Sequence, residues 1–160
     1  MRNNKGFSLV ELIIVIAIMA ILVGVMAPQL IKYIEKTNVS SDTQLCDTVK
    51  SAVTTAVMDP SVLNDANSKS RLAQTGTWVD VDGLTSTSAE FDKAIQETLG
   101  LDATSIGSID NKIKSARGSD GIQYNIMGSN SVHVRIPNTD VNGKKDTGTG
   151  TDATKIIYVD

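Results

Sequence analysis

The chain has 160 residues and a formal net charge of −3, enough for one domain and too short for two with separate cores. That balance excludes a broad basic surface for phosphate, and aromatics at 4% leave few platforms for stacking bases, so no nucleic-acid partner is predicted. The single cysteine, Cys46, excludes an internal disulfide and reads as a small buried apolar residue on a helix.

The front end carries the information. Residues 12–27 contain no polar side chain. Extended through Ile31, the run reaches about 20 residues, or roughly 30 Å as a helix, which matches a bilayer core. Arg2 and Lys5 precede it and would keep the N-terminus on the cytoplasmic side. Three readings compete for such a segment: a secretory signal peptide, a plain signal anchor, and the front of a filament-subunit precursor. The best signal-peptidase site is Val25-Met26-Ala27, but Pro28 follows at once and fits poorly.

Glu11 favours the third reading. It is the sole charge between Lys5 and Lys32. A carboxylate near the centre of a bilayer costs on the order of 2.5–3.5 kcal/mol, and less near the interface. The plain account places Glu11 at headgroup depth, against the positive end of its own helix. The sharper account gives it a cation created by proteolysis.

Lys5-Gly6-Phe7-Ser8-Leu9-Val10-Glu11 resembles the prepilin peptidase site of type IV pilins and their pseudopilin relatives. The likeness is close over roughly residues 1–35 and only architectural beyond. It implies cleavage between Gly6 and Phe7, N-methylation of Phe7, and an assembly role for Glu11. Pro28 falls where many members carry a stem proline. Loss of the leader removes Arg2 and Lys5, taking the formal side-chain charge from −3 to −5. The resemblance implies that Glu11 of an incoming subunit faces the Phe7 amine of its neighbour. Gly24 and Pro28, four residues apart, are unfavourable in a helix by about 1 and 3 kcal/mol, and mark either a kink or a stretch that melts on assembly.

After Pro28 the pattern becomes amphipathic. Ile31 and Ile34 share a face, as do Leu45, Val49, Ala52 or Val53, and Ala56. Asn38–Asp42 breaks the stripe, as an exposed neck or as an interruption. Asp59-Pro60 ends the helix. Residues 61–86 read as a loop, with a short strand at Trp78–Val81. Thr87 and Glu90 form a capping-box signature for a second helix, with a Phe91, Ile95, Leu99 stripe and Gly100 as its stop.

The last third predicts an antiparallel sheet: Ile113–Ala116, Ile122–Ile126 and Val132–Ile136, with turns at Gly118–Gly121 and Gly128–Asn130, and Ile156–Val159 as the closing strand. Asn138–Thr154 reads as an exposed loop, with Asn142-Gly143 and the run Thr147–Thr151.

Asp80-Val81-Asp82-Gly83 and Asp140-Val141-Asn142-Gly143 resemble the start of calcium loops but lack the spaced ligands and closing glutamate, and read as Asx turns. His133 is the sole histidine. No Ser/His/Asp or Cys/His arrangement stands out, and Thr147–Thr151 lacks the Lys-Ser/Thr of a phosphate loop. No catalytic residue, metal site or cofactor is predicted.

The expected fold is α+β: a long N-terminal helix, half membrane stem and half core, packed on an antiparallel sheet. Residues 1–6 form a leader, 7–34 the stem and 35–160 a globular head. The resemblance implies a type IV pilus subunit in a homo-oligomeric helical filament. It implies dealings with the membrane, a prepilin peptidase, an assembly platform and minor pilins. The precursor would sit in the cytoplasmic membrane with its C-terminus outside, and the assembled form at the cell surface, for adhesion or motility. A pseudopilin of a secretion or competence system and a membrane-anchored binding module are the alternatives.

Overall fold

The computed structural model describes residues 7–73, 76–115, 121–128, 131–137 and 157–159. The chain divides into two units, Met1–Thr37 and Asn38–Asp160.

The first unit holds the opening half of a 50-residue helix, α1 (Leu9–Met58). Every residue from Phe7 to Ile34 is exposed, and the helix is long and apolar enough to cross a membrane. Helix α1 runs unbroken through Gly24 and Pro28. A proline takes its partner N–H away from the carbonyl four residues earlier and crowds it. Here that carbonyl belongs to Gly24, beside whose Cα nothing packs.

In the second unit the same helix turns one face to a core. Cys46, Val49, Ala52, Val53, Ala56 and Val57 are buried, repeating every three to four residues. Leu45 packs at the edge of this cluster. Asn38–Asp42 is neither a bare neck nor an interruption. The helix continues, and Asp42 is fully buried.

Residues 61–86 are not one loop. Pro60 starts α2 (Pro60–Asn64), where its missing N–H is no loss, and the Asp59 carboxylate caps it by accepting from Ser61 N–H at 2.8 Å. Asp65 does the same for α3 (Ala66–Leu72), accepting from Ser68 N–H at 2.7 Å. Strand β1 (Val79–Asp80) then leads into a 3-10 turn, Val81–Gly83.

Helix α4 (Glu90–Leu99) ends at Gly100, whose φ of 65° is left-handed, and Leu101 N–H closes the last turn on the Gln96 carbonyl at 2.9 Å. The Thr87–Glu90 capping box does not form, because the helix begins at Glu90 itself. Its first N–H groups are satisfied from α3. Glu90 N–H donates to Asp65 Oδ2 at 3.3 Å and Phe91 N–H to Ser68 Oγ at 2.9 Å. Phe91 and Ile95 are buried and Leu99 packs against the core, as the stripe predicts.

A 3-10 helix at Ile106–Lys112 follows, and residues 113–115 are not a strand, against the expectation for Ile113–Ala116. Strands β2 (Gln123–Met127), β3 (Ser131–Ile136) and β4 (Ile157–Val159) join β1 in an antiparallel sheet of order β1-β2-β3-β4. The register pairs Tyr124 with Val134 and Ile126 with Val132 on the core face. The Tyr124 ring lies 6.0 Å from that of Phe91. The expected loop at Asn138–Thr154, with Asn142-Gly143, Thr147–Thr151 and the second Asp-rich motif, lies outside the described residues.

Candidate functional site

The site built at the front of the chain is a helix N-terminus carrying a carboxylate. Ser8 precedes the first helical residue, Leu9, and Glu11 is the third residue of the helix. Glu11 Oε2 accepts from Ser8 N–H at 2.9 Å, and Leu12 N–H donates to the Ser8 carbonyl at 3.2 Å. This is the return half of a capping box, Ser8-Leu9-Val10-Glu11. The carboxylate also lies against the positive end of the helix dipole. The helix-terminus part of the plain account of Glu11 therefore holds within a single chain. Phe7, just ahead, is 89% exposed. Gly6 lies outside the described residues.

Ser8 is the residue that sequence reasoning passed over. Its signal was present: a serine three residues before a glutamate, opening an apolar run. The same signature was assigned to Thr87–Glu90, where the fold overrides it.

The buried polar groups lie in the second unit. Asp42, buried on α1 itself, accepts from Lys114 N–H and Ser115 N–H, both at 2.9 Å, and so ties an irregular segment to the helix. Asp92 is buried with Arg71 at 3.0 Å and Ser86 N–H at 3.1 Å. Burial nonetheless pushes its carboxyl above the usual range, against the pull of Ser86 and Arg71. Burial likewise raises the Tyr124 hydroxyl. It pushes the Cys46 thiol up to about 12, helped by Asp42 and Asp47, which leaves no reactive thiolate near neutral pH.

Asp80 accepts from Gln123 Nε2 at 2.6 Å, and His133 Nε2 lies 3.3 Å from Ser131 Oγ. Among the described residues no group of three or more His, Cys, Asp or Glu could hold a metal ion.

Comparison with known proteins covers a minor part of the chain. The family model for the prokaryotic N-terminal methylation motif matches residues 1–27. The chain is similar to the type IV wide pilus major component PilA4 of Thermus thermophilus, 55% identical over 38 residues. That stretch is 24% of this chain and 29% of the relative, so the chain spans less than a third of the curated protein it matches. No solved structure matches it.

Proposed function

We propose that this chain, whose front end matches the prokaryotic N-terminal methylation motif, is a structural and non-enzymatic subunit of a type IV pilus, of the type IV pilin family. The supporting observation is the front end taken whole: Gly6-Phe7, a helix N-terminus holding Glu11, and an exposed apolar helix to Ile34. The precursor sits in the cytoplasmic membrane with its head outside. A prepilin peptidase cuts between Gly6 and Phe7, and the new Phe7 amine is methylated. On the assembly platform, with minor pilins, the stem leaves the bilayer and packs against stems of other copies in a surface filament serving adhesion or motility. Apolar packing supplies most of the adhesion, and the Glu11 carboxylate meets the Phe7 amine of a neighbouring copy to fix the register. Gly24 and Pro28 make a stretch where the helix melts at least cost when stems crowd together.

Mass spectrometry of sheared filaments should find a chain beginning at N-methylated Phe7. Filaments built from chains that still begin at Met1 would defeat the proposal. Glu11→Gln separates the two roles of the carboxylate. Glutamine keeps an acceptor for Ser8 N–H but carries no charge. E11Q and E11A should both accumulate in the membrane and both give few filaments by electron microscopy. Normal filaments from E11Q would reduce Glu11 to a helix cap.

A further inference from the structure

Just beyond the apolar run, one face of α1 changes character. Gln29, Lys32, Tyr33 and Lys36 fall at i, i+3, i+4 and i+7 and line a shallow hollow of about 210 Å³. Gln29 and Tyr33 are shared with a second hollow of about 370 Å³ on the stem side, whose lining includes Met26 and Leu30. A polar, basic hollow thus adjoins an apolar one, with Gln29 and Tyr33 lining both.

We propose that this face binds one anionic phospholipid of the outer leaflet, its phosphate headgroup between Lys32 and Lys36 and an acyl chain along Met26 and Leu30. The inference rests on the membrane-anchored reading given above. Depth supports it. With Leu12–Ile31 spanning the hydrocarbon, about 20 residues and roughly 30 Å, Lys32, Tyr33 and Lys36 arrive at the far headgroup layer. Lysine reaches such a layer by laying its methylenes on the apolar surface, and tyrosine is at home at that boundary.

Charge supports it too. Glu35 offsets part of the charge of the two lysines and leaves a net positive collar, which suits a phosphate. At the other end, the proposed cleavage removes Arg2 and Lys5 and leaves an amine beside Glu11, so the collar becomes the main basic anchor of the mature stem. The apolar hollow argues for a lipid over a free phosphate, because a headgroup alone leaves Met26 and Leu30 uncovered.

The full chain, reconstituted with equimolar phosphatidylglycerol and phosphatidylcholine and then extracted into detergent, should retain the anionic lipid roughly fivefold over the neutral one by mass spectrometry. K32Q/K36Q should fall to parity while still floating with vesicles, and K50Q, in the second unit, should behave as wild type. A preference for the anionic lipid in K32Q/K36Q as large as that of wild type, or no preference in wild type, would overturn the assignment. So would glycerol phosphate, lacking acyl chains, displacing the bound lipid as well as an intact phospholipid does. Filament loss in K32Q/K36Q with unchanged lipid retention would assign the face to a neighbouring copy instead. Wild type that floats with no vesicle would sink the membrane-anchored reading itself, an outcome distinct from the others.

Discussion

Asp42 shows how much one side chain can hold. It is fully buried, and its two carboxylate oxygens receive two backbone N–H groups more than seventy positions away in sequence. Hydrogen bonds to charged groups contribute about 1.5–3 kcal/mol each, and an orphaned buried donor costs about as much. Asp42→Ala should therefore destabilise the protein by about 2–4 kcal/mol, and Asp42→Asn, which keeps one acceptor, by about half as much. Urea unfolding of the chain in detergent, followed by Trp78 fluorescence, checks both.

Other carboxylates set the response to acid. Side-chain bonds from Ser61 and Ser68 hold Asp59 and Asp65 below their ordinary range. Thr104 and Ser105 hold Asp102 down to about 2. Groups with a lowered folded-state pKa stabilise fully above 3.8, and lose that contribution as pH falls from 3.8 towards 2. Asp92 and Asp110 are raised by burial, so the folded state holds their protons more tightly than the unfolded chain does. For these two, stability rises as pH falls towards 3.8. Thermal unfolding from about pH 7 to about pH 2 should show a mildly acidic maximum, then a decline. Asp92→Asn should weaken the rise and leave the decline in place.

At the scale of elements, α4 depends on its neighbour. The Ser68 hydroxyl donates to Asp65 at 2.6 Å and accepts from Phe91 N–H, so the N-cap of α3 also caps α4. Ser68→Ala leaves a buried N–H without a partner and should cost about 1–2 kcal/mol in a denaturant titration. Thr87→Ala, at the cap that sequence alone assigns, should change stability by less than about 0.5 kcal/mol. The contrast has a physical basis. A capping box is a local arrangement, free to form at Ser8–Glu11, where no side chain is buried. At residues 87–90 the Asp65 side chain takes the Glu90 N–H that the box would use, and Ser68 takes the next one, of Phe91.

For the whole molecule, the distribution of burial decides what depends on what. No residue from Phe7 to Ile34 is buried, whereas the fully buried side chains begin at Asp42 and Cys46. Removing residues 1–34 should leave a soluble head that unfolds cooperatively, with a thermal midpoint within a few degrees of the full chain by circular dichroism. Loss of cooperative unfolding would show that the core needs the stem. The same chain should no longer float with vesicles or enter filaments.

The sequence by itself determined the long apolar helix and the sheet's two central strands, and it singled out Glu11. An unbroken apolar run is legible because a helix in lipid satisfies its own backbone, so local composition suffices. Glu11 is legible because a lone charge in such a run demands an explanation. The stripes through Val49 and Phe91, and the alternation in β2 and β3, are local periodicities. Tertiary structure alone decided what depends on distant partners. Asp42 looks like an exposed break in a stripe until Lys114 and Ser115 bring their N–H groups to it. Residues 61–86 look like a loop because α2 and α3 are too short to show a period. The start of α4 was settled by side chains from α3, and hydrogen bonds between distant segments leave no repeat in the sequence that makes them.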